Sequence, residues 1–197
     1  MIDFININNS SPYLKFRKIY ELALKENQNA IEAISISSFN KQMDQVDSRF
    51  VNLKYIINDE WIFFSNYNSK KAKDFVSHPQ VSCIFFWDKI NYQIRIKANI
   101  FQSDEKISDQ HFQKRSVKKN ILAWSSNQSE SIDSYEEVMK KYNAESLKNK
   151  EYRPNFWGGY SFIPFYFEFW QGNDNRVNKR EVYSFVENEW KVSFLQP

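Results

Sequence analysis

The clearest candidate for chemistry in this sequence is a pair of lysines in the segment Ser69-Lys70-Lys71. Ser69 is typical of a helix N-cap, so both lysines fall in a first helical turn, where the helix dipole favours acidic residues. A bound anion would reverse this cost, because backbone N–H groups and lysine side chains would converge on it. The alternative is that both lysines point into solvent, and the motif alone leaves both interpretations open.

Two other segments carry arginines at spacings that suit an anion. Arg49 and Lys54 bracket a predicted strand, and they could bind a phosphate through a bidentate guanidinium and a point charge, respectively. Alternatively, these charged residues prevent an exposed edge strand from pairing with other chains. Arg176, Asn178 and Arg180 are predicted to share one strand face, where two arginines repel unless something separates them. An anionic ligand and a salt-bridged surface both satisfy this second pattern.

The middle of the chain adds aromatic, amide and basic groups. Amides and hydroxyls stand beside an indole in WSSNQS (124–129), which suits the edge of a heteroaromatic ligand and equally suits an ordinary loop. Arg115, Lys118 and Lys119 end a predicted helix, where cations simply compensate the helix dipole. Together these features suggest an anionic, aromatic ligand without identifying it.

Composition excludes several classes of protein. The only glycines are Gly158, Gly159 and Gly172, so the first 157 residues cannot form a P-loop or a dinucleotide-binding turn. One cysteine and two histidines argue against a zinc site, a disulfide and a Ser-His-Asp hydrolase. A net charge of +3 is too small to indicate nucleic-acid binding. Without an apolar run of membrane length or a signal-like start, we expect a cytoplasmic protein.

The hydrophobic pattern predicts one domain of mostly β-structure with peripheral helices. Residues 1–10 read as a flexible arm, 12–27 as a helix and 38–48 as a loop. Alternation and turn signals predict about seven strands, among them an apolar strand over 81–87 and a strictly alternating strand over 92–102. Further helices are predicted over 70–78 and within a helical insertion at 104–150, where the first covers 104–118 and the last reaches about Asn149. Hairpin spacing favours a mostly antiparallel Greek-key barrel, with aromatic strands in 160–197.

The order of the motifs resembles the pyridoxamine 5′-phosphate oxidase family of FMN-dependent split-barrel flavoproteins. The resemblance covers about residues 11–197. The motifs that carry it are RFVNLK (49–54), FFSN (63–66), SKKA (69–72), YQIR (92–95), WSSNQS (124–129), FWGG (156–159) and EFWQG (168–172), followed by Arg176 and Arg180. It implies a homodimer, joined through the 160–197 strands, with FMN at the subunit interface.

The resemblance also assigns cofactor residues. Arg49, Lys70 and Lys71 would hold the FMN phosphate, which explains the lysines at the helix start. The remaining cofactor contacts that it implies are Phe50, Val51, Phe64, Ser65, Gln93, Gln128, Ser129, Trp170 and Arg180.

The implied substrate site matches the family less well. Lys54 and Arg115 stand where the family binds a substrate phosphate, and Arg176 where a catalytic arginine positions the pyridine ring. The departures are His111 for a tyrosine, Lys119 for a serine and Asn178 for a histidine, all at substrate-binding positions. Lys70 stands where the family has an arginine. This departure is milder than the other three, although a lysine cannot make the bidentate contact of a guanidinium.

Three functions follow as hypotheses from this resemblance. The first is oxidation of pyridoxine or pyridoxamine 5′-phosphate to pyridoxal 5′-phosphate by oxygen, in vitamin B6 biosynthesis or salvage. The second is a related FMN oxidoreductase with another substrate, such as those of phenazine pathways, and the three departures motivate it. The third is a non-catalytic protein that carries FMN or pyridoxal phosphate. No nucleic acid, membrane or metal is expected as a partner.

Overall fold

A computed structural model describes residues 1–148 and 150–197. The helices are α1 (Ser11–Lys25), α2 (Lys70–Ser77), α3 (Glu105–Lys114), α4 (Val117–Ser125) and α5 (Tyr135–Ser146). The strands are β1 (Asp3–Ile5), β2 (Ala33–Asn40), β3 (Gln45–Asn52), β4 (Tyr55–Ile57), β5 (Glu60–Asn66), β6 (Gln80–Trp87), β7 (Tyr92–Gln102), β8 (Trp157–Gln171), β9 (Lys179–Val186) and β10 (Glu189–Leu195).

All ten strands belong to one sheet, which confirms the predicted β-barrel with peripheral helices. The order is β1-β4-β5-β8-β7-β6-β2-β3, and β9 and β10 extend from β8. Every pairing is antiparallel except that of β1 with β4. β8 is 15 residues long and pairs with β5 near its start and with β9 near its end. This long strand therefore joins the two regions that carry candidate site residues.

Helix α1 packs its apolar face on the barrel core. Phe16 is fully buried and its ring lies 4.4 Å from that of Trp61 and 5.5 Å from that of Phe85. Aromatic side chains bury large apolar areas and contribute more than aliphatic ones when their rings tilt against each other. Aromatic residues make up 18% of the sequence, and many of them thus fill the barrel interior.

The N-terminal segment differs from its prediction as a flexible arm. Residues Asp3–Ile5 form β1, which pairs in parallel with β4. Ile2 is buried, and its backbone N–H donates to the Tyr20 hydroxyl over 2.8 Å. A three-residue strand is too short to show hydrophobic periodicity, so the sequence pattern could not predict β1 or its pairing.

Two further boundary predictions are wrong. The predicted loop at 38–48 is mostly strand, because β2 runs to Asn40 and β3 begins at Gln45 after a four-residue turn. The single helix expected from 104 to 118 is two helices, since Arg115 and Ser116 take extended backbone angles between α3 and α4. The predicted end of α5 at Asn149 lies outside the described residues. None of the described helices is both long and apolar enough to span a membrane.

Candidate functional site

A buried lysine forms the centre of the first part of the site. Lys71, on the first turn of α2, is only 9% exposed. Its Nζ lies 3.1 Å from Ser65 Oγ, 3.2 Å from Ser69 Oγ and 3.1 Å from Gln128 Oε1. Burial and the neighbouring Arg49 lower the pKa of Lys71 to about 8, although Asp74 opposes this. All three hydrogen-bond partners are neutral, so this cation is desolvated without a directly bound counter-charge.

The two other cations of this cluster are paired with acids. Arg49 donates to Ser38 Oγ over 2.6 Å and lies 3.4 Å from the buried carboxylate of Asp74. Lys70 Nζ lies 2.6 Å from Asp47 Oδ2, and this lysine lowers the pKa of Asp47. Asp47 and Asp74 thus pair with these two cations, whereas Lys71 has no carboxylate among its hydrogen-bond partners in the described residues.

A cavity of about 380 Å³ opens beside this cluster. Its lining includes Arg49, Phe50, Lys70, Lys71, Gln128 and Ser129. Phe50 is 76% exposed, whereas Val51 packs against the hydrophobic core. The cavity therefore gathers most of the predicted cofactor residues of this region, but the side chain of Val51 is used in packing.

A stack of three rings lies next to Ser65. The rings of Phe64 and His111 are 3.8 Å apart and nearly parallel, and the ring of Trp157 lies 5.5 Å from that of Phe64. The hydroxyl of Tyr55 is 2.9 Å from His111 Nδ1. Burial, followed by the charges of nearby cations, lowers the pKa of His111 to about 4, so its ring is neutral at pH 7.

Arg115 occupies the break between α3 and α4. Its guanidinium lies 4.6 Å from the centroid of the Trp157 ring, and its Nη1 is buried without a hydrogen-bond partner among the described residues. It lines a cavity of about 150 Å³ together with Phe64, Ser65 and Gln128, and it also borders a larger cavity of about 500 Å³ behind α4. A buried guanidinium donor without an acceptor is costly, which makes Arg115 a candidate for binding an anion.

The remaining predicted substrate-phosphate residues are more exposed. Lys54 Nζ lies 3.5 Å from Glu32 Oε1, in a weak ion pair. Lys119 is exposed on α4, and both lysines contribute to lowering the pKa of His111. The structure thus brings Lys54, His111, Arg115 and Lys119 into one electrostatic neighbourhood.

The second part of the site lies at the far end of β8. Gln93 and Trp170 are directly paired across β7 and β8, and Trp170 is also paired with Arg180 on β9. Arg180 Nε donates to the buried Glu168 over 2.9 Å, and Arg95 Nη1 donates to the same carboxylate over 2.8 Å. Arg180 is therefore salt-bridged to Glu168, and its predicted contact with the cofactor stays a prediction.

The predicted shared face of Arg176, Asn178 and Arg180 is wrong. β9 begins at Lys179, and Arg176 closes a turn with a positive φ of 62°. The Asn178 side chain accepts a hydrogen bond from the Asn173 backbone N–H over 3.1 Å, so it stabilises this turn. Arg176 itself adopts the left-handed conformation that glycine usually takes, so no glycine marks this position as a turn.

The two parts are well separated within one chain. Gly158 pairs with Ser65 and Trp170 pairs with Gln93, so the two pairings are twelve positions apart along β8. An extended strand covers about 40 Å over that number of residues. The chain therefore presents two clusters of predicted cofactor residues at opposite ends of its longest described strand. The first, formed by Arg49, Lys70, Lys71 and Gln128, is named the Lys71 half-site, and the second, formed by Gln93, Trp170 and Arg180, is named the Trp170 half-site.

Glycines let the strands approach closely at the Lys71 half-site. A Cβ on Gly158 would overlap the Tyr67 hydroxyl, and one on Gly159 would lie 2.6 Å from Ser103 Oγ. Gly159 pairs with Phe64, and its backbone N–H donates to Ser108 Oγ over 2.9 Å. The FWGG motif thus has a packing role beside the ring stack.

Sequence reasoning missed several residues that organise the site. Asp74 and Tyr55 were not predicted, and Glu168 was noticed only as part of a motif. Asp74 accepts a hydrogen bond over 2.8 Å from Ser38, which lies 36 positions away in the chain. Tyr55 contacts His111, which lies 56 positions away. Local spacing carries no signal for such contacts.

Glu168→Gln is expected to lower the free energy of unfolding by about 2 kcal/mol, because the buried carboxylate of Glu168 pairs with the partly exposed guanidinium groups of Arg95 and Arg180, and a neutral amide cannot compensate their charges. Urea denaturation would measure the change. Glu187→Gln is the matched control: Glu187 is exposed and pairs with Lys191 on the surface, so its change should stay within about 0.5 kcal/mol. Equal effects of the two substitutions would contradict the role of Glu168.

Comparison with known protein families identifies the family to which this chain belongs. The family model described as "Pyridoxamine 5'-phosphate oxidase" matches residues 23–149, and the model of the "Pyridoxine 5'-phosphate oxidase C-terminal dimerisation region" matches residues 157–197. The chain belongs to the pyridoxamine 5′-phosphate oxidase family. The predicted resemblance is confirmed, and with it an FMN-dependent oxidoreductase at the level of the family. The hypothesis of a non-catalytic carrier is not supported.

Individual relatives agree with this assignment. Pyridoxine/pyridoxamine 5′-phosphate oxidase 2 of Hydrogenovibrio crunogenus is 34% identical over 98% of this chain and 91% of that protein. Pyridoxine/pyridoxamine 5′-phosphate oxidase of Neisseria meningitidis is 31% identical over 95% of this chain and 90% of that protein.

Solved structures show the same fold. PhzG from Burkholderia lata, in complex with tetrahydrophenazine-1-carboxylic acid, superposes with a TM-score of 0.90 at 23% identity, covering 95% of this chain and 93% of that one. A pyridoxamine 5′-phosphate oxidase-related, FMN-binding protein from Nostoc punctiforme gives a TM-score of 0.78 at 11% identity, covering 96% and 99%. At these identities the likeness establishes the fold alone.

Proposed function

We propose that this family member oxidises pyridoxine or pyridoxamine 5′-phosphate to pyridoxal 5′-phosphate, with FMN as cofactor and oxygen as electron acceptor, in vitamin B6 biosynthesis or salvage. One observation carries the proposal: the buried Lys71 and the half-buried Arg115, whose Nη1 is buried, make no salt bridge among the described residues and line adjoining cavities that share Gln128. A phosphorylated cofactor beside a phosphorylated substrate would supply one anion for each. A cytoplasmic location stays a prediction from the sequence.

The residues of the Lys71 half-site fit an FMN phosphate. Arg49, Lys70 and Lys71 line one cavity, and Lys71 has only neutral partners that a phosphate could replace or join. Charge-assisted hydrogen bonds to phosphate oxygens are about twice as strong as neutral ones, so a phosphate would offset the desolvation of Lys71. Phe64, Ser65, Gln128 and Ser129 would line the remainder of the cofactor site on this protomer.

A second copy of the chain would complete the site. Gln93, Trp170 and Arg180 are also expected cofactor contacts, yet they lie about 40 Å along β8 from the Lys71 half-site. In a two-fold symmetric dimer, each half-site meets the other half-site of the partner. The match of residues 157–197 to the family's dimerisation region supports this arrangement, as do the exposed apolar side chains Phe185, Val192 and Phe194 on β9 and β10.

The chain's own residues would then bind and orient the substrate. When bound, FMN supplies the two-electron acceptor, which oxygen restores with release of hydrogen peroxide. Lys54, Arg115 and Lys119 would anchor the substrate phosphate, remote from the carbon that is oxidised. His111 stays neutral at pH 7 and contributes a hydrogen bond and not a charge.

Arg176→Ala is expected to lower kcat about 100-fold while leaving the Kd for FMN within about threefold, because the arginine positions the substrate ring and not the cofactor. Steady-state kinetics and flavin fluorescence titration would measure the two quantities. Arg17→Ala on α1 is a matched control, since Arg17 makes only an exposed ion pair with Glu21. Parallel losses of turnover and of FMN affinity would contradict the assignment.

A second candidate function is an FMN oxidoreductase with a different substrate. It is favoured by Asn178, whose side chain is engaged with the Asn173 backbone where the family has a histidine. An amide used to close a turn cannot also act as that histidine would. His111 and Lys119 are further departures at the substrate site.

An anaerobic experiment separates these candidates. The FMN-loaded protein would be mixed with pyridoxine 5′-phosphate, and the flavin absorbance followed at about 450 nm. Bleaching that reverses on admitting air, with formation of pyridoxal 5′-phosphate, would establish the first function. Retained FMN that does not bleach would favour another substrate, to be sought in a panel. A protein that never retains FMN would contradict both candidates.

A further inference from the structure

The Tyr55–His111 pair is a feature of this chain that the proposed function does not yet use. The Tyr55 hydroxyl lies 2.9 Å from His111 Nδ1, and its ring is perpendicular to that of His111. His111 is fixed on one side by the parallel ring of Phe64, 3.8 Å away. Both the position and the orientation of the imidazole are therefore determined by its neighbours.

The surroundings of His111 are strongly basic. The cations that face it come from three elements: Lys54 before β4, Lys114 and Arg115 at the end of α3, and Lys119 on α4. Their charges and the burial of the ring keep the imidazole neutral, with a pKa of about 4. A neutral imidazole has one N–H, so the nitrogen that carries it decides whether the ring can donate to an anion.

The hydrogen bond to Tyr55 decides between the two nitrogens. Burial, assisted by the charge of Asp3, raises the pKa of Tyr55, so the phenol keeps its proton. If the phenol donates to Nδ1, the imidazole proton resides on Nε2. The opposite tautomer would leave Nε2 as an acceptor only, which cannot donate a hydrogen bond to an anion gathered by the surrounding cations.

We infer that Tyr55 is a positioning residue that holds His111 as the Nε2–H tautomer, so that a neutral imidazole donates a hydrogen bond to the phosphate of the substrate. This rests on the proposed function, since a phosphorylated substrate is needed for the phosphate contact. The resemblance places a tyrosine at position 111 in the family, which offers a hydroxyl directly. In this chain the hydroxyl of Tyr55 would act instead through the imidazole of His111.

The kinetic test is Tyr55→Phe in the FMN-loaded enzyme. Loss of the hydrogen bond should raise KM for pyridoxine 5′-phosphate about tenfold, with kcat and the Kd for FMN within about twofold. KM for unphosphorylated pyridoxine should not change. Tyr135→Phe, at an exposed tyrosine, is the matched control. Equal increases for both substrates, or no increase, would overturn the inference.

A coupling experiment tests that Tyr55 acts through His111. In a His111→Tyr background, which restores the family's residue, Tyr55→Phe should leave KM unchanged. Retention of FMN and the unfolding midpoint would establish that each variant is folded. An undiminished effect of Tyr55→Phe in that background would show that Tyr55 does not act through His111.

The tautomer can be measured without any substrate. The chain has two histidines, so ¹⁵N NMR of the ring nitrogens is assigned with one His111→Gln variant. We expect a protonated Nε2 and an unprotonated Nδ1 for His111 at pH 7, and a mixture in Tyr55→Phe. A protonated Nδ1 would overturn the inference even if the oxidase activity is present. If the expected tautomer is found but the protein does not oxidise pyridoxine 5′-phosphate, the proposed function is wrong. The proposed contact between His111 and the substrate phosphate is then wrong as well.

Discussion

Lys71→Met is expected to abolish retention of FMN, with Kd rising about 100-fold or more. Lys71 is buried and has no charged hydrogen-bond partner among the described residues, so a bound phosphate would be its principal counter-charge. Removing a buried charge that binds a phosphate costs about 3 kcal/mol, and each 1.4 kcal/mol is a factor of about ten in affinity. Titration of the stripped protein with FMN, followed by quenching of flavin fluorescence, measures the change.

The same substitution should stabilise the protein without FMN at pH 7. The pKa of Lys71 is about 8 in the folded state, below the ordinary value of 10.5, so keeping the charged form in the folded protein costs up to about 3 kcal/mol. That cost is full below about pH 8 and disappears as pH rises towards 10.5. We therefore expect the wild-type protein to gain stability over this pH window, and Lys71→Met to show no such gain.

Lys73→Met provides the control, because Lys73 is exposed on the same helix. It should leave FMN affinity within about twofold and the pH dependence of unfolding unchanged. An equal loss of FMN affinity in both variants would show that the general charge of α2, and not the buried position of Lys71, attracts the phosphate.

Mixing two inactive variants is expected to restore activity. Lys71→Met disables one half-site and Arg180→Ala the other, so each homodimer alone should turn over at a few per cent of the wild-type rate or less. If each active site combines half-sites from two protomers, a heterodimer contains one intact site and one doubly damaged site. Random exchange of equal amounts gives about half heterodimers, and hence about a quarter of the wild-type activity.

The experiment requires exchange of subunits, by co-expression with two tags or by refolding the mixture. Combining Lys71→Met with Lys70→Ala, two changes in the same half-site, serves as the control and should restore no activity beyond that of Lys70→Ala. Failure of the Lys71→Met and Arg180→Ala pair to complement, in isolated heterodimers, would mean that both half-sites act within one protomer or that they do not form one site.

The sequence alone determined the fold class and the family. Period-2 alternation in residues 92–102 predicted β7, and the apolar run ending at Trp87 predicted β6, because these strands alternate or fill the barrel core. The order of short motifs predicted the family and its cofactor. These signals are local, so they could be read before any long-range contact was known.

Only the tertiary structure decided how the cations are used. Arg49 is paired with Asp74 and Arg180 with Glu168, whereas Lys71 and Arg115 have no salt-bridge partner among the described residues. Ser69-Lys70-Lys71 looks like two equivalent lysines in sequence, but helical geometry buries Lys71 and leaves Lys70 exposed beside Asp47. The difference arises because charge pairing and burial depend on residues brought together by the sheet, which sequence spacing does not encode.

At the substrate site, too, the sequence predicted individual residues but not the contacts between residues that are distant in the chain. His111 was expected there by resemblance, but its contact with Tyr55 spans 56 positions and follows from the packing of α3 against the strands. Arg176 was predicted to lie on a strand because of the alternating pattern, but it adopts a left-handed turn conformation before β9 begins. Residue types determined which chemistry is available, and tertiary packing determined which groups remain free to perform it.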